Sequence, residues 1–95
     1  MAGVNASTRG AQVVMYSTPW CPYCIRARML LKQKGVVFED IDVAGNPALR
    51  REMEAKSGRH TVPQIWINGE HIGGCDELHA LDRAGQLDKK LVSAP

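Results

Sequence analysis

Cys21-Pro22-Tyr23-Cys24 is the segment of this chain whose residue types and spacing can do chemistry by themselves. It stands between an apolar run, Val13 to Tyr16, and a stretch from Pro22 to Lys34 with helical spacing. A helix accepts proline best at its first position, N1, where no N–H donor is needed, so Pro22 makes Cys21 the N-cap. Residues at the N-cap and N3 lie about one turn apart on one face, which lets their Cα atoms fall within the roughly 4.4–6.8 Å that a disulfide requires. The uncapped amides and the positive end of the helix dipole favour a thiolate at Cys21 over one at Cys24. The pattern therefore predicts Cys21 as a nucleophile and Cys24 as a resolving thiol.

A C-x-x-C pair is also half of many zinc sites. A structural zinc takes four ligands, and the remaining Cys75, His60, His71 and His79 have none of the spacings that supply the other half. No metal site is expected, and the three histidines read as surface or sheet-edge residues. Next to a βαβ pattern, C-x-x-C points instead to redox chemistry on a thioredoxin-like fold. Three cysteines are too few, and odd in number, for a secreted disulfide scaffold.

Positioning such a pair takes one small domain, and the 95 residues allow only one. The apolar fraction of 44% and charged fraction of 23% are ordinary for a globular chain, and a net charge of +2 excludes nucleic-acid binding on charge alone. No apolar run approaches the roughly 18 residues of a membrane span. The chain reads as soluble and cytoplasmic, with no membrane partner and a monomer as the expected state. Residues 1–12 are small and polar without period and read as a flexible N-terminal arm; residues 13–92 form the domain.

Val13-Val14-Met15-Tyr16 predicts a strand buried on both faces. Ile25/Met29 and Ala27/Leu30/Leu31 recur at helical spacing up to a stop at Gly35. Val36-Val37-Phe38 to Ile41 reads as a second strand, and strand, helix, strand implies a right-handed parallel crossover. Ala48 to Lys56 reads as a second helix ending at Ser57-Gly58. Asn68-Gly69 between the β-prone runs Gln64 to Ile67 and Glu70 to Ile72 calls for a type I′ hairpin. Cys75 to Ala84 reads as a further helix, and the tail from Gln86 as a last turn. The order βαβαββα predicts an α/β fold, a four-stranded mixed sheet flanked by helices, with Leu30, Leu31, Met53, Ile65, Ile67, Leu78 and Leu81 in its core.

With the cysteine pair, the blocks Ser57-Gly58-Arg59, Thr61-Val62-Pro63 and Gly73-Gly74-Cys75-Asp76 follow in an order that resembles the dithiol glutaredoxins of bacterial type, over about Val13 to Leu91. The resemblance implies a thioredoxin-like (glutaredoxin) fold and a glutathione-dependent thiol–disulfide oxidoreductase acting on disulfide-containing or glutathionylated proteins. Glutathione would be a co-substrate, with no tightly bound cofactor. It also implies a cis bond before Pro63 and a Val62 backbone free to receive the cysteinyl part of glutathione as a short added strand. Gly74 would allow close approach, the amides of Cys75 and Asp76 would suit a carboxylate, and the Asp76 side chain would accept the ligand's ammonium group. Tyr23 would pack on the ligand, Thr61 belongs with Val62 to the binding segment, and Trp20 is a partly exposed wall or a contact.

The family often has a lysine three residues before the first cysteine, where this chain has Thr18. Arg50, with Arg51 behind it, is the expected partner of the glycyl carboxylate, since a guanidinium can bind a carboxylate through two hydrogen bonds. The family also contains [2Fe-2S] carriers, against which Pro22 argues, and the fold contains reductase-coupled donors, against which Gly74-Cys75-Asp76 argues.

Overall fold

The computed structural model describes residues 10–92, which form four strands and four helices. They run in the order β1 (Val13–Ser17), α1 (Pro22–Gln33), β2 (Phe38–Asp42), α2 (Pro47–Ser57), β3 (Gln64–Ile67), β4 (Glu70–Gly73), α3 (Cys75–Arg83) and α4 (Leu87–Val92). The strands make one mixed sheet in the spatial order β2-β1-β3-β4. β1 pairs parallel with β2, and β3 pairs antiparallel with both β1 and β4. The expected architecture is present, and the turn expected after Gln86 is the short helix α4.

Each face of β1 and β3 meets a different partner. Val13, Met15, Ile65 and Ile67 join Ala27, Leu30, Leu31, Leu78, Leu87 and Leu91 in the main core, which α1, α3 and α4 cover. Tyr16 packs with Val43 and Met53 on the opposite face, where Val62 and Trp66 also lie, under α2. Of the residues expected in the core, only Leu81 is partly exposed, packed against its margin.

α1 buries Cys24, Ala27, Leu30 and Leu31 and leaves Ile25 and Met29 exposed. At 100° per residue, Ile25 and Met29 point away from the other four, and a single sheet covers only one stripe of a helix. In β2 the sequence places the start at Val36, but the strand begins at Phe38: Val36 is buried, its amide bonded to the Leu31 carbonyl at the end of α1, and Val37 faces solvent.

The turn at Asn68-Gly69 has the two positive φ values that a type I′ hairpin requires, 52° and 81°. Asn68 also corrects the domain boundary. Its backbone N–H donates to the Gln12 carbonyl, its side-chain oxygen accepts from the Gln12 N–H, and Ala11 is buried with its N–H bonded to the Leu91 carbonyl. Ala11 and Gln12, assigned to the arm from their small and polar character, belong to the packed domain because two distant segments provide their partners. The rest of the expected arm, residues 1–9, lies outside the described residues.

Candidate active site

The strand-to-helix turn that carries the first thiol is held from beneath. Ser17, buried at the end of β1, donates to Asp40 of β2, and Arg28 of α1 donates to both Asp40 and Ser17. Three elements are thereby tied together just before residues 18–21.

Cys21 is the N-cap of α1, with extended backbone angles (φ −73°, ψ 122°) and Pro22 following it into the helix. Its carbonyl accepts the first helical hydrogen bond, from the Ile25 N–H. Its sulfur is partly exposed, whereas Cys24, one turn on, is fully buried. The difference in environment separates the two acidities. Partial burial opposes ionisation of Cys21, but the Cys24 amide, the Cys24 thiol and the Tyr23 amide together bring its pKa below the ordinary thiol value. Burial raises Cys24 to about 11, against opposing hydrogen bonds from the Thr18 amide and hydroxyl. At neutral pH the pair therefore offers one ionisable thiol and one proton-bearing thiol, the asymmetry expected from the helix N-terminus. Thr18, three residues before Cys21, is turned to Cys24.

The second half of the site comes from the other end of the chain. The Val62–Pro63 bond is cis, and the Cys21 thiol points at the Val62 carbonyl, 3.9 Å away. Tyr23, Thr61, Val62, Pro63, Gly74, Cys75 and Asp76 line one cleft of about 280 Å³, joined by Arg59 and Glu77. Gly73 needs to be glycine: at φ +116° a Cβ would stand 2.8 Å from the Glu77 carboxylate. That carboxylate accepts from the Gly74 N–H at 2.7 Å and pairs with Arg59 at 3.3 Å, so its pKa lies below the usual carboxylate range, chiefly through the Gly74 amide and against a burial penalty.

Arg50 is not brought into this cleft. Its guanidinium donates to the His60 carbonyl at 2.9 Å, and it lines a separate depression with Asn46, Arg51 and Glu54. The guanidinium at the cleft is that of Arg59, from the Ser57-Gly58-Arg59 block. A signal for Glu77 was present: Glu three residues after an N-cap is half of a capping box, here with Gly74 at the cap. Cys75 is buried, with its thiol pKa raised mainly by burial. Trp20 and Tyr23 stand exposed on either side of Cys21. A larger groove, about 520 Å³, is lined by Arg26, Met29, Leu30, Lys32, Gln33 and His79 and contains no thiol, so size does not locate the chemistry. Among the described residues no group of three or more His, Cys, Asp or Glu could hold a metal ion.

A sulfur nucleophile at a helix N-cap, a buried thiol one turn behind it and a cleft lined by the residues around the cis Val62–Pro63 bond, on a sheet of order β2-β1-β3-β4, define a thiol–disulfide oxidoreductase of thioredoxin-like fold. A sequence model of the family Glutaredoxin matches residues 13–72. The chain belongs to the glutaredoxin family. It is 61% identical to a glutaredoxin of Pseudomonas aeruginosa over 83% of this chain and 94% of that protein. It is similar to the solution structure of glutaredoxin from Brucella melitensis, with a TM-score of 0.75 and 51% identity over 84% of this chain and 87% of the other. A buckwheat glutaredoxin–glutathione complex superposes with a TM-score of 0.79 at 29% identity, over 95% and 84% of the two chains.

Proposed function

We propose that this protein is a glutathione-dependent thiol–disulfide oxidoreductase that reduces glutathione mixed disulfides and protein disulfides through Cys21 and Cys24. The observation that carries the reading is the Cys21 sulfur, with its lowered pKa, facing the carbonyl of Val62, a residue that lines the cleft. The likeness to a glutaredoxin–glutathione complex supports glutathione as the ligand.

The Cys21 thiolate attacks the glutathionyl sulfur of a mixed disulfide. A bond forms between Cys21 and glutathione, and the substrate sulfur leaves as a thiolate that takes up a proton. A second glutathione thiolate then attacks that adduct, releasing oxidised glutathione and restoring the Cys21 thiolate. With a protein disulfide, Cys24 loses its proton and attacks Cys21 in the enzyme–substrate mixed disulfide, expelling the reduced substrate; two glutathiones then reduce the Cys21–Cys24 bond. A low-pKa sulfur is both the better-ionised nucleophile and the better leaving group. The Cys24 pKa of about 11 keeps that thiol protonated at neutral pH, so the first attack falls to Cys21.

In the cleft the cysteinyl part of glutathione adds to the Val62 backbone, with Thr61 and Pro63 shaping the approach and Tyr23 packed against it. The first amides of α3, at Cys75 and Asp76, receive the γ-glutamyl end, with Gly74 allowing its close approach, and its ammonium group meets Asp76. Arg59 supplies the positive charge in the cleft, and Arg50 steadies the segment from His60 onward. The cycle uses no cofactor besides glutathione, a monomer suffices for it, and the cytoplasm, where glutathione is kept reduced, is the compartment in which it runs.

The test is reduction of a small glutathione mixed disulfide, with oxidised glutathione recycled by glutathione reductase and NADPH consumption followed. Wild type turns over and Cys21→Ser does not. Cys24→Ser retains the mixed-disulfide reaction and loses protein-disulfide reduction. Equal loss of both activities in Cys24→Ser would overturn the division of roles.

A further inference from the structure

The mechanism leaves unused a fully buried amide directly behind the cleft. Gln64, the first residue of β3, has no exposed surface, on the face of the sheet otherwise filled by Tyr16, Met53 and Trp66. Burying a primary amide is costly unless its donors and acceptor are matched. Here they are. Its Nε2 donates to the Thr61 carbonyl at 3.1 Å and to the Thr61 hydroxyl at 3.2 Å, and its Oε1 stands 2.7 Å from His71 Nε2.

These contacts leave one orientation. A carbonyl only accepts, so the amide nitrogen must face Thr61, which leaves the amide oxygen for His71 and puts a proton on His71 Nε2. The His71 ring is itself held against Trp66, with ring centroids 4.9 Å apart, and Trp66 meets Tyr16 edge-on at 5.4 Å. The far end of the chain of contacts is Thr61-Val62, the segment whose Val62 carbonyl lies 3.9 Å from the Cys21 sulfur.

We propose that Gln64, braced by His71, is a positioning residue: by gripping both the carbonyl and the hydroxyl of Thr61 it sets the Val62 backbone for ligand addition. This deepens the glutathione reading given above and rests on it. Gln64 lies outside the cleft and contacts neither thiol of the pair, so its effect reaches the ligand through Thr61 and Val62. The charged groups that act on His71 are Arg59 and Glu77, with burial the largest influence on the ring.

The test compares wild type, Gln64→Leu, Gln64→Glu and His71→Phe as full chains, each checked for folding by its thermal transition. The probe is S-methylglutathione, which cannot exchange, titrated at pH 5 and pH 8 while backbone amide shifts are followed by NMR; KM for glutathione and kcat are measured alongside at pH 8. Gln64→Leu is expected to weaken probe binding and raise KM by about tenfold, the scale for lost buried hydrogen bonds, with kcat within about twofold. His71→Phe keeps a ring on Trp66 but removes the donor, and shows the same change at smaller size. In Gln64→Glu an ionised carboxylate cannot donate to the Thr61 carbonyl, whereas a protonated one can. Its probe binding is therefore weak at pH 8 and recovers toward wild type at pH 5, a movement that Gln64→Leu lacks.

Unchanged probe binding in Gln64→Leu, or equal probe binding by Gln64→Glu at the two pH values, would overturn the proposal. So would a fall in kcat with KM unchanged. Should Gln64→Leu not fold, the pH comparison in Gln64→Glu and the His71→Phe titration decide. A wild type that neither turns over nor binds the probe would overturn the glutathione reading instead. The positioning would then stand or fall on whether the Thr61 and Val62 amide shifts of Gln64→Leu differ from those of wild type.

Discussion

Two helices of this protein begin at a cysteine, and their surroundings drive the two thiols in opposite directions. Cys21 caps α1 from outside its first turn, where no acidic residue stands, and the amides of Tyr23 and Cys24 bear on its sulfur. Cys75 is the first residue inside α3, 4% exposed, and Asp76 and Glu77 follow it. Burial is the larger influence on Cys75 and raises its pKa; the Arg26 charge pulls the other way, and Asp76, Cys21 and Glu77 add to the rise. The Gly74 amide already holds the Glu77 carboxylate. A helix N-terminus therefore activates a thiol only where the sulfur sits at the N-cap, reaches solvent and has no carboxylate competing for the same amides.

The strongest way to break this comparison is to remove each sulfur. Cys21→Ser should lower mixed-disulfide turnover by on the order of 10³-fold or more, the scale seen when a nucleophile is lost, while Cys75→Ser should stay within about twofold of wild type. Similar losses in the coupled NADPH assay would mean that the buried sulfur takes part in the reaction.

Alkylation by iodoacetamide, mapped by mass spectrometry across pH, gives the next largest contrast. A thiol reacts as its thiolate, so labelling of Cys21 should rise with pH through a midpoint below 9 and then level off. Cys24 should lag until pH approaches 11, and Cys75 should respond only above the ordinary thiol range. At pH 7 the preference for Cys21 over Cys24 should be at least about tenfold, since one unit of pKa is a tenfold change in thiolate fraction. The sign for stability follows. A group whose folded pKa is depressed stabilises the fold above its unfolded pKa, and that contribution is lost as pH falls through the folded value. Reduced wild type should therefore lose its advantage over Cys21→Ser as pH drops through the Cys21 midpoint, as read by paired thermal melts.

Moving an acid between the two helices sharpens the comparison at smaller scale. Tyr23→Glu places a carboxylate in the first turn of α1 and should shift the Cys21 midpoint upward, slowing alkylation at pH 7 about two- to fivefold, in keeping with charge effects at helix ends. The smallest effect is the reverse change: Asp76→Asn should lower the Cys75 midpoint by less than that, because burial and not charge dominates there. A large fall in the Cys75 midpoint would show that the acid, and not burial, keeps that thiol protonated.

Much of this arrangement was legible from local signals. Pro22 after Cys21 marks a helix start, Asn68-Gly69 marks a hairpin, and the apolar spacings mark the strands and helices they occupy. What local signals leave open is decided by partners distant in the chain. Ile25 and Met29 have the same helical spacing as the buried set, and only the position of the sheet says which stripe is covered. Arg50 and Arg59 are equally fit to meet a carboxylate by composition; the His60 carbonyl engages the first, and the fold turns the second into the cleft. Ala11 and Gln12 look like arm residues until Asn68 and Leu91 arrive beside them.

The reactive pair, the order βαβαββα as far as Arg83 and the direction of the asymmetry between Cys21 and Cys24 are readable along the chain, because each depends on groups within about one helical turn or one strand. Tertiary structure decided what surrounds the pair: the Val62 carbonyl opposite Cys21, Arg59 and Glu77 in the cleft, and the buried Gln64 behind Thr61. Those depend on contacts between segments some 40 residues apart, such as Cys21 and Val62, whose register is set by sheet pairing and by which faces the helices cover.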